Sequence, residues 1–203
     1  MLGRPSGPFT KANMSQNQSR YAGIREKSAT REANYLMPGI YILLLEACEE
    51  GKTRNRVGFN VFKFKVLADL GGNESNSRRT GAPHRRHRPG ESVGWMLTDD
   101  KDAFLPNLKQ AVGIASEGDP DDVTEEDVEF AFGTEQPLAG KVLEVSAVHV
   151  LKKPAREKPE DKITDADFYT RVIFRRVLGP QEVREQVSAD VLQRHAPQLL
   201  AQS

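Results

Sequence analysis

The sequence predicts a mainly β fold, a β-barrel with helices. Five segments predict strands, because they alternate apolar and polar residues or form short apolar runs rich in β-branched and aromatic side chains. A helical pattern separates the third segment from the fourth, and long charged loops follow the second and the fourth. With 203 residues, the chain is long enough for one good core with appendages.

The first two segments predict a hairpin. Residues 40–48 (IYILLLEAC) form a mostly apolar run that suits a central strand, and the polar residues 49–56 follow as a turn around Gly51. Residues 57–70 alternate clearly, so one face is expected in the core and the other in water. The inward set is Phe62, Phe64 and Val66, and the outward set is Val61, Lys63 and Lys65.

A third strand and two helices are predicted next. Residues 92–97 form the strand, and residues 104–114 place apolar side chains on one helical face after a run of capping residues. A short acidic helix is expected at 124–132, where Thr124 and Asp127 have the spacing of a capping box.

The last two strands are expected at Val142–Leu151 and at residues 168–178, joined by the charged loop 152–167. Residues 181–200 then predict a single amphipathic helix. In the fifth strand we expect Phe168, Thr170, Val172 and Phe174 to point inward and Tyr169, Arg171, Ile173 and Arg175 to point outward. Alternatively, Tyr169 and Ile173 pack beneath the C-terminal helix.

Charge and composition divide the chain further. Residues 1–34 lack any hydrophobic period and predict a disordered basic tail, followed by the barrel domain at 35–179 and the C-terminal helix at 180–203. The formal net charge is zero, but arginine and histidine collect in a loop at 73–90 and carboxylates collect in an insertion at 117–135. Binding to a polyanion is therefore expected on one face only.

Five strands with a helix between strands 3 and 4 is the order of the OB-fold, a small Greek-key barrel that binds oligonucleotides or oligosaccharides. The segments PGIYILLLEACEEGKTRN and FNVFKFKVL resemble the first hairpin of phage-encoded OB-fold single-stranded-DNA-binding proteins. FLPNLKQAVGI is similar to their helix, and LAGKVLEVSAVHV is similar to the strand that follows it. The resemblance covers roughly residues 35–178, apart from the basic loop and the acidic insertion.

This resemblance implies a non-enzymatic protein of bacteriophage DNA replication or recombination, with low sequence specificity, no cofactor and a place in the host-cell cytoplasm. The chain departs from the family at its end, because QVSADVLQRHAPQLLAQS is not the acidic tail by which many such proteins recruit partners. The segment 117–135 is the alternative contact for other replication or recombination proteins, and a homo-oligomer is also compatible with the sequence. The rival interpretation is a virion-associated or other interaction protein that uses the same barrel.

Single strands are held by a positive groove and by aromatic faces on which bases stack. Guanidinium groups add bidentate contacts to phosphate, so the loop 73–90 is expected to act as a flexible basic arm. The predicted contacts come from the two hairpin strands, the basic loop, the 152–167 loop and the fifth strand. They are Lys52, Arg54, Arg56, Phe59, Lys63, Lys65, Arg78, Arg79, Arg85, Arg86, Arg88, Lys152, Lys153, Arg156, Tyr169, Arg171 and Arg175.

Other chemistry finds little support in the sequence. Cys48 is the only cysteine, which excludes an internal disulfide and a cysteine-based zinc cluster, and it is expected to be a buried thiol. No apolar run approaches the ~20 residues that span a bilayer. The pair His84 and His87 lies among cations that disfavour a metal, and the carboxylates of 117–135 lack the basic partner expected of a two-metal nuclease.

Overall fold

The structure is a computed structural model and describes residues 35–99, 101 and 103–201. The predicted tail at 1–34 lies outside the described residues. The strands are β1 (Gly39–Lys52), β2 (Gly58–Gly71), β3 (Ser92–Thr98), β4 (Val142–Leu151) and β5 (Phe168–Val177). The α-helices are α1 (Phe104–Ala115), α2 (Glu125–Phe132), α3 (Pro180–Gln186) and α4 (Ala189–His195), and short 3-10 helices lie at Pro120–Asp122, Lys153–Glu157, Glu160–Lys162, Asp165–Asp167 and Pro197–Leu199.

The five strands form one antiparallel sheet in the order β3-β2-β1-β4-β5. The first four strands make a Greek key, because β4 returns by a long connection to lie beside β1. The mainly β, five-stranded prediction is confirmed. The sheet is open, however, since no ladder joins β3 to β5 in the part of the chain that the structure describes.

The open sheet is strongly curled. In a flat sheet with strands about 4.8 Å apart, β3 and β5 would be separated by roughly 19 Å. The rings of Trp95 on β3 and Phe174 on β5 nevertheless have centroids only 5.7 Å apart, and Phe62 on β2 lies 5.3 Å from Phe174. The concave face therefore encloses an aromatic core, and α1 and α2 pack Leu108 and Phe132 into it.

The alternation predicted for the hairpin is confirmed, since Phe62, Phe64 and Val66 are buried and Lys63 is exposed. β1 runs four residues beyond the prediction, to Lys52. Cys48 lies on this strand, buried as predicted, and burial raises the pKa of its thiol to about 12.

The C-terminal prediction of a single helix is wrong. Val187 is extended, and the chain starts again at Ser188, whose side-chain oxygen accepts from the Val191 amide to begin α4. The apolar side was predicted correctly, because Val183, Val187 and Leu192 are buried. They pack against the convex face of the sheet in a second cluster with Ile42, Leu44, Leu67 and Val142.

Candidate nucleic-acid interface

A groove of about 920 Å³ runs along the gap between β3 and β5. Its apolar surface includes the exposed side chains of Tyr35, Met96 and Tyr169, of which the two tyrosines are 63 % and 46 % accessible. Phe104, at the start of α1, contributes a further aromatic ring. Tyr169 does not pack beneath the C-terminal helices, so that alternative is excluded for this residue.

Four cations line the same groove: Lys101, Lys152, Lys153 and Arg171. Lys152 Nζ donates to the Ala166 carbonyl oxygen at 2.7 Å and makes no ion pair with a described carboxylate. Lys153 and Arg171 make no ion pair within the described residues. No carboxylate belongs to the described lining either, so the groove is positive and partly aromatic.

The β3 side of the groove is built by the chain that enters β1. Tyr35 forms a parallel bridge with Gly94, and the Leu36 amide donates to the Gly94 carbonyl oxygen at 3.2 Å. Leu36 is buried in the core, which places the neighbouring Tyr35 ring at the surface. The free edge of β3 is thus partly occupied, and an aromatic side chain is fixed above it.

The basic loop helps to hold this segment. His87 is buried, and its Nε2 accepts from the Met37 amide at 3.0 Å and lies 3.1 Å from the Tyr35 carbonyl oxygen. Its Nδ1 lies 3.1 Å from a carboxylate oxygen of Glu91. His87 therefore connects the loop that precedes β3 with the segment that carries Tyr35.

The β5 side of the groove remains open. Phe174 directs its backbone N–H and carbonyl away from β4, where the side-chain amide of Gln110 meets them. Since backbone groups repeat every two residues along a strand, Thr170 and Val172 direct theirs to the same side, into the groove. Backbone donors and acceptors therefore lie beside the exposed Tyr169 and Arg171.

The structure brings four of the predicted contact residues together in the groove: Lys152, Lys153, Tyr169 and Arg171. Lys52, at the end of β1, lies outside the groove lining, and so does the turn between β1 and β2 that carries Arg54 and Arg56. Its strands place it near one end of the groove, because Phe59 is paired with Thr98, a lining residue. Arg156 is exposed in the 3-10 helix that follows Lys152.

Other predicted contacts are held by carboxylates. Lys63 pairs with Glu49 at 2.5 Å, and Lys65 lies 3.4 Å from Glu46, both across the β1–β2 ladder. Arg175 pairs with Glu144 at 3.1 Å. These cations lie away from the groove lining, and each has a neighbouring negative charge.

The basic loop is anchored to the domain, in contrast to the flexible arm predicted. Arg86 makes two hydrogen bonds with the Asp69 carboxylate, donates to the Gly72 carbonyl oxygen at 2.8 Å and lies over the Tyr41 ring. Burial alone would raise the pKa of Asp69, but the hydrogen bonds from Arg86 and from the Gly71 amide hold it below its usual value. Arg85 pairs with Glu91.

Two arginines of the loop, Arg79 and Arg88, are exposed and make no ion pair within the described part of the chain. Arg78 is tied to the turn before β5, since its amide donates to Asp165 at 2.6 Å and its guanidinium lies 3.7 Å from Glu160. Much of the positive charge of the loop is therefore engaged in intramolecular contacts.

The acidic helix begins as predicted, with the Thr124 amide and hydroxyl both donating to Asp127. These hydrogen bonds lower the pKa of Asp127. In the described residues, no group of three or more His, Cys, Asp or Glu side chains is arranged to hold a metal ion. His84 and His87 face different neighbours, His149 and the Tyr35–Met37 segment respectively.

Sequence reasoning missed Tyr35, Met96, Lys101 and Phe104. Met96 could have been predicted from the sequence, because its neighbours Trp95 and Leu97 point inward and strand alternation then directs Met96 outward. Tyr35 had no such signal, since it precedes the first strand and reaches the groove only through its bridge to Gly94.

Comparison with protein-family models finds no match, and comparison with curated proteins finds none either. None of the described helices has the length and apolar character needed to cross a lipid bilayer.

Proposed function

We propose that this protein binds single-stranded nucleic acid in the groove between β3 and β5 and catalyses no reaction on it. One observation carries the proposal: Tyr35 and Tyr169 are exposed in a groove whose described charged side chains are all cations. DNA is the expected nucleic acid, because the resemblance to phage single-stranded-DNA-binding proteins implies it.

The chemistry of the groove favours an unpaired strand over a duplex. Bases in a duplex stack on one another and present only their edges, whereas an unpaired base has both faces available for an aromatic ring. Each such stack contributes about 1–3 kcal/mol, with little dependence on sequence. Lys153 and Arg171 are available to phosphates, because neither is neutralised within the described chain.

The fold supports an OB-type barrel as part of the same proposal. The Greek-key order of β1 to β4 and the contact between Trp95 and Phe174 across the opening are properties of a partly open barrel. A role in phage replication or recombination, and a partner for the acidic segment, rest on the resemblance alone.

Fluorescence anisotropy with labelled oligo-dT, oligo-rU and duplex DNA over a salt series tests the proposal. We expect oligo-dT to bind more tightly than duplex. Tyr169→Ala should weaken binding by roughly 5- to 150-fold, the equivalent of one lost stack, while Tyr169→Phe retains most of the affinity. Arg171→Ala should reduce the slope of log K against log salt by about 0.7.

Arg175→Ala is the matched control, because Arg175 lies on the same strand but is paired with Glu144 outside the groove. Its affinity and salt slope should stay close to those of the wild type. Equal affinity for duplex, or unchanged binding in a folded Tyr169→Ala/Arg171→Ala protein, would refute the proposal.

A further inference from the structure

A second pocket, of about 530 Å³, lies where the basic loop meets β4 and the start of β5. Three segments distant in sequence form it: the loop supplies Ser75, Arg78 and His84, β4 supplies His149, and the turn before β5 supplies Asp165. None of these residues lines the groove between β3 and β5.

Two imidazoles meet in this pocket. The rings of His84 and His149 are 4.8 Å apart between centroids and nearly perpendicular. His149 Nδ1 is engaged with the Ser75 hydroxyl at 3.0 Å. Its Nε2, and both ring nitrogens of His84, have no hydrogen-bond partner among the described residues and are not sealed from solvent.

The charged groups around the imidazoles are few. Arg78 lies over the Phe168 ring, with its guanidinium carbon 5.8 Å from the centroid, and Glu160 is its exposed partner. The Asp165 carboxylate accepts from the Ser77 hydroxyl and the Arg78 amide, and these hydrogen bonds lower its pKa. Asp165 is therefore an ionised but hydrogen-bonded carboxylate that fixes the loop.

Burial lowers the pKa of His149, and the neighbouring His84 lowers it further, while Asp165 acts in the opposite direction. Two imidazoles this close resist carrying charge together unless an anion lies between them. A dianion that accepts hydrogen bonds from both rings would remove that repulsion, and Arg78 would add a third charge-assisted contact.

We propose that this pocket binds a phosphoryl group, held by His84, His149 and Arg78. Its identification as a phosphate of a bound strand rests on the proposed function, whereas binding of free inorganic phosphate does not. Affinity for an anion of constant charge should rise as the pH falls, because the protonated imidazoles are the binding form.

Nuclear magnetic resonance of the histidine Cε1–H groups tests this proposal in the full chain. The sequence contains four histidines, so His87 and His195 serve as internal controls. Inorganic sulfate, which mimics phosphate but keeps its charge, should shift the His84 and His149 signals more at about pH 6 than at about pH 8. Equal shifts at all four histidines, or none, would overturn the proposal.

Arg78→Ala should weaken sulfate and phosphate binding about 10-fold or more, the loss expected for a charge-assisted hydrogen bond. Arg79→Ala is the matched control, because Arg79 is the adjacent exposed arginine and does not line the pocket. Should Arg78→Ala disturb the fold, His149→Gln provides the second variant. Anion binding unchanged in every folded variant would contradict the assignment.

Oligo-dT with and without a 5′-phosphate distinguishes the sources of the phosphoryl group. If oligo-dT with a 5′-phosphate binds more tightly than oligo-dT without one, and this preference disappears in Arg78→Ala, the pocket binds the phosphate at a strand end. If only inorganic anions shift the His84 and His149 signals, the pocket binds free phosphate. Oligonucleotide binding with no shift at His84 and His149, from either the oligonucleotide or inorganic anions, would refute this pocket while leaving the groove intact. Anion shifts without oligonucleotide binding would refute the groove instead.

Discussion

Gln110 on α1 holds the backbone of Phe174 on β5 with both ends of its side-chain amide. Its Nε2 donates to the Phe174 carbonyl oxygen, and its Oε1 accepts from the Phe174 amide at 3.4 Å. A neighbouring strand would make the same two kinds of hydrogen bond. The amide thus satisfies the edge of β5 near the core, while Thr170 and Val172 remain open to the groove.

Gln110→Ala should destabilise the domain by about 1–3 kcal/mol, because it leaves two part-buried backbone groups without a partner. Gln110→Glu retains the shape but replaces the donor with an acceptor that faces the Phe174 carbonyl oxygen, so it should cost at least as much. Urea unfolding followed by circular dichroism measures both. Wild-type stability in both variants would mean that the edge needs no cap.

The sequence predicts what depends on local periodicity. The alternation of Phe62 with Lys63, and of Tyr169 with Val172 and Phe174, places each side chain on the observed face. The contacts that build the groove are different, because they join residues far apart. Gln110 and Phe174 are separated by 64 positions, and Met37 and His87 by 50.

Charge in the sequence was also an incomplete guide to the candidate interface. Composition alone does not distinguish Arg86 and Arg175 from Arg171, yet Arg86 pairs with Asp69 and Arg175 pairs with Glu144. Strand pairing and the packing of the loop determine which cation has a carboxylate beside it, as for Arg175 with Glu144 on β4 and Arg86 with Asp69 on β2. The basic loop at 73–90 therefore contributes mainly contacts that anchor it to the domain, and the groove lies elsewhere, between β3 and β5.

His87 and Tyr35 should be coupled energetically. His87→Ala removes the acceptor of the Met37 amide, which should loosen the segment that fixes Tyr35 and weaken oligo-dT binding. The loss should be smaller than in Tyr35→Ala, where a stack worth about 1–3 kcal/mol disappears. Anisotropy on both single variants and the double variant gives the coupling energy. Strictly additive losses would show that His87 does not position Tyr35.

Cys48 should react slowly with a thiol reagent in the native protein. Its thiol is buried, and burial raises its pKa to about 12, so little thiolate forms at neutral pH. Labelling with a disulfide reagent should therefore be slow in buffer and fast in urea. Rapid stoichiometric labelling of the folded protein would contradict the buried position.

The same shift predicts a loss of stability in alkali. The unfolded thiol ionises near pH 8.5, whereas the folded thiol does so only near 12. The unfolded state therefore binds fewer protons in that window, and this contribution to stability falls as the pH rises. Cys48→Ala lacks the group, so the stability difference between wild type and variant should shrink from pH 8.5 upward. A constant difference would exclude the effect.

Asp167 should make the turn before β5 sensitive to acid. The hydrogen bond from Lys158 Nζ, followed by one from the Thr164 amide, holds the pKa of this carboxyl at about 2. A carboxylate whose pKa is depressed by folding stabilises the folded state at pH values above its unfolded pKa, near 3.9. This stabilisation is lost as the pH falls toward 2. The melting temperature of the wild type should therefore fall more steeply over this window than that of Asp167→Asn.

Lys158→Met should raise the pKa of Asp167 and move the loss of stability to higher pH, which carboxyl NMR titration measures directly. Because the Asp167 carbonyl also accepts from the Lys152 amide, Asp167→Asn should leave that backbone contact, and the oligonucleotide affinity at neutral pH, nearly unchanged.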